Sequence, residues 1–138
     1  MKNRRSLRVW AAAAAIPAAS TVLAVLPATG GAAATVPGPT APHINRIFSL
    51  GGCEVDIRIA LATDPVDQPA AIRYEVFANG TLTETVRANT TGSAPGLGNL
   101  DTYGTPVPGL QTFTIVALDT RGLVSPPSNA VTRTVGTC

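Results

Sequence analysis

The chain has 138 residues, 45% of them hydrophobic, and a formal net charge of +2 at pH 7. Four of its ten basic residues lie within Met1–Arg8, so residues 35–138 carry six arginines against eight carboxylates, a balance of −2. Nucleic acids and anionic membranes attract proteins through dense basic surfaces. A domain of this composition is therefore not predicted to bind either of them.

Residues 1–34 have the layout of a secretory signal peptide. A basic start, Met1–Arg8, precedes the apolar stretch Val9–Leu26 and the small residues Ala32–Ala34. This order predicts cleavage after Ala34 and secretion of the remainder. A retained membrane anchor is the alternative, because the apolar stretch approaches spanning length, but Pro17 interrupts it and alanine is weakly hydrophobic.

The exported part begins with residues 35–43, whose prolines exclude a helix or a central strand and predict an extended lead-in. Residues 44–138 are predicted to form one domain with period-two patterning. The segment Glu54–Leu61 alternates strictly, which predicts a half-buried strand with its four aliphatic side chains inward. Those side chains are Val55, Ile57, Ile59 and Leu61.

A second strand is predicted near Ile72–Ala78, with Ile72, Tyr74 and Val76 inward. It ends at Asn79-Gly80, a two-residue hairpin signal, and Thr81–Val86 is predicted to return as its partner. The segment Asn89–Pro108 is rich in turn-forming residues and predicts loops with room for one short strand.

Alternation resumes at Leu110, with Phe113, Ile115 and Ala117 on one side, and a last strand is predicted over Val131–Val135. Short strands separated by Gly and Pro are typical of a β-sandwich or a barrel. The sequence therefore predicts an all-β fold.

Cys53 and Cys138 are the two cysteines of the chain. In an exported protein an even pair predicts a disulfide. A metal site is not predicted, because the only histidine is His43 and the cysteines are not closely spaced. No cofactor is predicted either.

Four stretches carry a resemblance to a known family: Ala41-Pro42, Ile72–Gly80, Gly109-Leu110 and Phe113–Ser128. From about Pro42 to Val135 the sequence resembles a fibronectin type III domain or a close immunoglobulin-like relative. The resemblance implies a seven-stranded antiparallel sandwich with strands A-B-E against C-C′-F-G, in which Cys53 and Cys138 meet at one pole. Two family features are missing: the core tryptophan of strand B and the tyrosine of the E–F corner.

The resemblance also places candidate binding loops at the opposite pole. These are the B–C loop, Asp64–Pro69, and the F–G loop, Asp119–Ser125, with Asn89–Asn99 as a further candidate segment beside them. Arg121-Gly122 is followed by Leu123, so the Arg-Gly-Asp adhesion motif of some family members does not carry over. The candidate side chains are Asp64, Asp67, Asp119, Arg121 and Leu123.

Two sharper sites are weighed against ordinary structural roles. Asp64 and Asp67 are expected to form a turn, since a calcium site needs more oxygen ligands than this pair supplies. Phe77 and Tyr103 are the candidate side chains for stacking on sugar rings, because Phe77 faces opposite to Tyr74 and Tyr103 lies in the irregular segment.

The sequence contains no catalytic constellation, because His43 lies in the lead-in without a neighbouring nucleophile and acid, so the chain is predicted not to be an enzyme. The alanine-rich leader and the lysine-free remainder suggest a GC-rich bacterial source. The expected function is a non-catalytic extracellular binding module with a protein or polysaccharide partner. Two alternatives are a small-ligand carrier with an apolar cavity and a secreted enzyme inhibitor with a rigid protruding loop.

Overall fold

The computed structural model describes residues 34–138, so the predicted signal peptide, apart from Ala34, lies outside the described residues. Within that range no helix is long and apolar enough to cross a membrane. His43, which the sequence placed in the lead-in, is the first residue of the first strand. The strands of residues 34–138 are β1 (His43–Gly51), β2 (Glu54–Ala60), β3 (Arg73–Ala78), β4 (Thr81–Arg87), β5 (Leu97–Tyr103), β6 (Gly109–Leu118) and β7 (Val131–Val135).

The strands form two antiparallel sheets. One sheet has the order β1-β2-β5 and the other the order β4-β3-β6-β7. In the lettering of the fibronectin type III fold these are A-B-E and C′-C-F-G, the arrangement that the resemblance implied. The predicted seven-stranded, fibronectin type III-like sandwich is confirmed.

The core consists of the inward positions of both sheets, as the period-two pattern predicts. Burying a side chain of the size of Ile57 or Phe113 stabilises the fold by about 1.5–3 kcal/mol. Leu61, predicted to lie inward with them, is only partly buried because β2 ends at Ala60. The fully buried apolar residues include Val55, Ile57, Ile59, Ile72, Tyr74, Val76, Leu100, Phe113, Ile115 and Ala117.

The predicted hairpin joins β3 to β4. Asn79 and Gly80 both have positive φ, 51° and 77°, which a two-residue turn of this type requires. The Asn79 side chain also accepts a hydrogen bond from the Thr112 amide at 2.9 Å, which fixes the turn against β6.

The segment Asn89–Pro108 contains more regular structure than its composition predicts. β5 spans seven residues and pairs with β2 along its whole length. The local sequence does not predict this strand, because it contains poor strand formers such as Gly98 and Asp101. Leu100 and Thr102 nevertheless point into the core. Pairing and burial override the local preference of the chain here.

The disulfide between Cys53 and Cys138 is present and lies just before β2, at the pole opposite the B–C loop. The Gly136 amide donates to the Gly52 carbonyl at 2.9 Å beside it. The predicted pairing is confirmed, and it ties the end of β7 to the start of β2.

A buried glutamine orders the connection between β5 and β6, where the sequence lacks the family's corner tyrosine. Gln111 is 1% exposed. Its Oε1 accepts from the Thr105 amide at 2.9 Å, and its Nε2 donates to the carbonyl of Val107 at 2.6 Å. An amide side chain therefore supplies hydrogen bonds to this corner, as the tyrosine hydroxyl does in related folds.

Candidate ligand-binding surface

The B–C and F–G loops meet at one pole, as expected, and their charged side chains bind one another. The guanidinium group of Arg121 bonds Asp64 at 2.9 Å and also pairs with Asp119. Both carboxylate side chains are fully buried, whereas the Arg121 side chain is 28% exposed. Arg121 therefore closes the two loops against each other.

Asp67 extends this contact. Its carboxylate accepts from the Thr120 amide at 2.6 Å and from the Thr120 hydroxyl at 2.8 Å. Asp64 accepts from the amides of Val66 and Asp67, both at 2.8 Å, so it forms the expected turn. One carboxylate oxygen from each of Asp64, Asp67 and Asp119 lies within 4.8 Å of the other two. These oxygens already accept hydrogen bonds, and the single positive charge of Arg121 is shared between Asp64 and Asp119.

The same contacts stabilise the ionised form of Asp119. Burial acts to raise the pKa of Asp119, but hydrogen bonds from the Leu123 amide and from Arg121 outweigh it, so the pKa lies below that of a free aspartate. The carboxylate organises the F–G loop by accepting the Leu123 amide at 2.7 Å and the Arg121 amide at 2.9 Å.

The Pro-rich lead-in packs against this pole. The Pro37 carbonyl accepts a hydrogen bond from Arg121 at 3.0 Å, and the Thr40 amide donates to the Thr63 carbonyl at 2.8 Å. Gly38 lies so near Leu123 that an added Cβ would approach the Leu123 Cβ to 3.1 Å. Arg121 and Leu123, predicted as partner-binding residues, thus contact the chain's own lead-in, although Leu123 stays 41% exposed.

The two predicted sugar-stacking residues lie on opposite outer faces of the sandwich. Tyr103 is opposite Glu54 on the outer face of the three-stranded sheet and is 53% exposed. Phe77 is opposite Thr114 on the outer face of the four-stranded sheet and is partly buried. Since the core separates them, they do not share one site.

A groove of about 360 Å³ lies on the outer face of the three-stranded sheet, beneath the loop that joins β4 to β5. Its walls combine polar and apolar groups and include two guanidinium groups. The lining residues are Asn45, Arg46, Arg58, Ile59, Thr91, Gly92, Ser93, Ala94, Leu97, Gly98 and Asn99.

A β-bulge in β1 directs two consecutive side chains to this face. Ile44 and Ile47 are both buried although they are three residues apart, and the pairing with β2 shifts between Ile44 and Arg46. Bulges turn side chains that strict alternation would send elsewhere. Asn45 and Arg46 are consequently both exposed and both line the groove.

The two arginines of the groove stack on one aromatic ring. Arg46 and Arg58 lie directly opposite each other on β1 and β2. Their guanidinium carbons are 4.7 and 4.8 Å from the centroid of the Phe48 ring. Cation–π contact of this kind holds a guanidinium plane while its N–H edges stay free to donate.

Two carboxylates lie one row further along the same face. Asp56 and Asp101 are directly opposite each other on β2 and β5. Burial raises the pKa of Asp56, the charge of Asp101 raises it further, and Arg58 acts in the opposite direction. Among the described residues the buried Oδ1 of Asp56 has no hydrogen-bond partner.

The wall formed by the β4–β5 loop is ordered by its own hydrogen bonds. Asn89 and Asn99 exchange two backbone bonds, at 2.8 and 2.9 Å, and the Asn89 side chain accepts from the Thr91 amide at 3.0 Å. Gly98 packs closely against its neighbours, because an added Cβ would come within 2.9 Å of the Leu61 side chain and 3.0 Å of the Ala88 Cβ. The segment Asn89–Asn99, a further candidate in the sequence, is the part of the predicted binding region that lines the groove.

Sequence reasoning missed Arg46, Arg58 and Phe48 as site residues. The available signal was the spacing of Ile44 and Ile47, which breaks the alternation and marks a bulge in an edge strand. The register that brings Arg58 opposite Arg46 appears only when the strands are paired.

Comparison with known proteins finds likeness only among solved structures. No family model and no curated protein matches the chain. It is similar to the fibronectin(III)-like modules of Clostridium thermocellum CbhA, with 19% identity over 72% of this chain and a TM-score of 0.46. It spans less than half of that structure, 47%.

Two further structures show likeness of the same degree. The fibronectin type-III domain of human fibronectin type III domain containing protein 3 is 14% identical, with 78% of this chain and 94% of that one covered and a TM-score of 0.49. The Yersinia enterocolitica family 28 exopolygalacturonase is 18% identical, with 74% and 21% covered and a TM-score of 0.42. The fold assignment therefore rests on the strand order and register.

Proposed function

We propose that this chain is a non-catalytic extracellular binding module and that the groove on its three-stranded sheet binds a polysaccharide. The observation that carries the proposal is the groove itself, a concavity of about 360 Å³ with amides, hydroxyl-bearing side chains and two stacked guanidinium groups in its walls. Ligand sites are concavities of this size with a few placed polar groups.

The chemistry of the lining favours a sugar chain over an apolar ligand. Asn45 and Asn99 supply amide donors and acceptors, and Thr91 and Ser93 supply hydroxyls, the groups that sugar hydroxyls need as partners. The groove is partly open to solvent, so a segment of a sugar chain can enter it. The carrier alternative predicts a hydrophobic cleft between sheet and loops, whereas six of the residues that line this groove are polar and two of those are arginines.

The extracellular part of the proposal rests on the disulfide and on the fold. Disulfides persist in oxidising compartments and are rare in the cytosol. A fibronectin type III-like sandwich fits a non-catalytic interaction domain, because its rigid sheets carry loops and faces that can bind a partner. His43, at the start of β1, has no hydrogen-bonded carboxylate or serine among residues 34–138, so this region supplies no argument for hydrolysis.

The test is affinity electrophoresis of the full chain in gels that contain soluble polysaccharides, with insoluble glycans and the producer's own cell wall tested by co-sedimentation. The groove variant Asn45→Ala/Asn99→Ala is expected to weaken binding, because it removes two polar walls and no buried contact. Thr85→Ala/Thr134→Ala is the matched control, since these exposed residues lie on the other sheet.

Phe77→Ala tests the aromatic residue on the opposite face and is expected to leave binding unchanged. Loss of binding in Phe77→Ala but not in the groove variant would place the site on the four-stranded sheet and overturn this proposal. Absence of binding to every glycan would favour a protein partner.

The F–G loop provides a specific reason to keep a protein partner as the second candidate. Asp119 and Arg121 hold the loop rigidly, while Leu123 and Val124 remain 41% and 55% exposed. A rigid loop with apolar residues at its tip is what the inhibitor alternative requires. Leu123→Ser would then abolish capture of the partner, whereas the groove variant would retain it.

A further inference from the structure

We infer that the groove selects acidic polysaccharides, with an acid group of the sugar chain bound by the paired guanidinium groups of Arg46 and Arg58. This inference rests on the proposed function and adds the charge class of the ligand. It concerns carboxylate or sulfate groups carried on a glycan, and the experiment below separates the two.

The first argument is the unfavourable arrangement of the two arginines. They are direct cross-strand neighbours, and like charges in that position are destabilising. Neither forms a salt bridge within residues 34–138, since both salt bridges of this region are made by Arg121. An anion placed between the two groups would remove the repulsion and satisfy free donors.

The second argument is the stacking on Phe48. The ring holds both guanidinium groups before any ligand arrives, so less conformational entropy is lost when an anion binds. Because a stacked guanidinium keeps its N–H groups in the plane, Arg46 and Arg58 can still donate to a carboxylate or sulfate.

The third argument is the local charge. Residues 35–138 carry a balance of −2, yet the groove lining includes two arginines and no carboxylate. Asp56 and Asp101 lie beyond its walls, in the next row of the sheet. A neutral sugar would not require this separation of charge, whereas an acidic one would.

A second arginine pair serves as an internal control. Arg73 and Arg87 are also direct cross-strand neighbours, but they lie on the outer face of the other sheet. No aromatic ring stacks on them among the described residues, and they do not line the groove. Replacing either pair changes the net charge equally, so only a specific site distinguishes the two variants.

The experiment measures the affinity of the full chain for polygalacturonate, dextran sulfate, neutral dextran and a single-stranded oligonucleotide, at low and moderate salt. We expect binding to one or both acidic glycans and at least tenfold weaker binding to neutral dextran. Arg46→Ala/Arg58→Ala should weaken acidic-glycan binding at least tenfold, and Arg73→Ala/Arg87→Ala should weaken it less than twofold. The ratio of polygalacturonate to dextran sulfate affinity identifies the preferred acid group.

Two further variants guard against misfolding as an explanation. Asp56→Asn removes a negative charge beside Arg58 and should strengthen acidic-glycan binding, the opposite of what a damaged fold would do. Arg46→Lys/Arg58→Lys keeps the charge but loses the planar donor edges, so it should bind more weakly than the parent chain. Thermal melting of each variant confirms that it is folded.

Failure of the charge inference and failure of the polysaccharide proposal give different results. Equal affinity for neutral and acidic glycans, lost in Asn45→Ala/Asn99→Ala, would overturn the charge inference and leave the polysaccharide proposal in place. Equal weakening by the two arginine double variants, or equal binding of the oligonucleotide, would show unspecific charge attraction and overturn the inference. Binding to no glycan would overturn both.

Discussion

Removal of the disulfide offers a quantitative test of the fold. The variant Cys53→Ala/Cys138→Ser opens a loop whose ends are 85 residues apart in sequence. The chain-entropy relation gives a loss of about 15 cal/mol/K for a loop of this length, or about 4.6 kcal/mol at 25 °C. A domain of this size has a total stability of roughly 5–15 kcal/mol, so the variant would be near the limit of folding.

The assay is equilibrium unfolding in urea, with the intact mass of the parent chain first confirming that the bond is closed. The expected result is a free energy of unfolding lower by 2–5 kcal/mol, since measured values are often below the entropy estimate. Cys138→Ser alone should lose nearly the same amount, because either change opens the loop. A loss below about 1 kcal/mol would refute the reasoning that the covalent link between β2 and the end of β7 restricts the unfolded chain.

Three smaller changes test the packing and the electrostatics. Tyr74→Phe should lower the free energy of unfolding by about 1–3 kcal/mol, because the buried Ala62 amide, which donates to its hydroxyl at 3.1 Å, would lose its acceptor; urea unfolding measures this. Asp119→Asn should destabilise the chain at pH 7, because folding lowers the pKa of Asp119 and the ionised carboxylate therefore stabilises the folded state. The stability difference from the parent chain should disappear as pH falls below about 3.9, because protonation removes this contribution. Asp56→Asn should do the opposite and stabilise at pH 7, with no difference in strong acid, because folding raises the pKa of Asp56 and the neutral form is favoured. Melting temperatures of both variants from pH 2 to pH 7 test the two signs, and equal signs would contradict the argument.

Local structure was predictable where the sequence signal was unambiguous. Val55, Ile57 and Ile59 show period two without interruption, and Asn79-Gly80 has few conformations other than a tight turn, so both predictions are confirmed. β5 was underestimated because Gly98 and Asp101 give no local signal for a strand. Its formation depends on pairing with β2, which is remote in sequence.

The candidate site was predictable only in part. The B–C and F–G loops do meet, because the resemblance fixes which connections share a pole. Sequence reasoning could not show that Arg121 would bind Asp64 and Asp119, since a charge pair depends on the distance between loops. Nor could it show that Tyr103 and Phe77 lie on opposite outer faces of the sandwich, because that depends on which sheet each strand joins.

The sequence by itself determined the all-β class and the disulfide pairing, because these follow from local periodicity and cysteine number. Tertiary structure alone decided the location of the groove. Arg46 reaches it through a bulge and Arg58 through the register of β2, and both guanidinium groups meet the Phe48 ring only when the strands pair. Register and bulges are set by the fit of one strand against another, and that fit cannot be obtained from either strand alone.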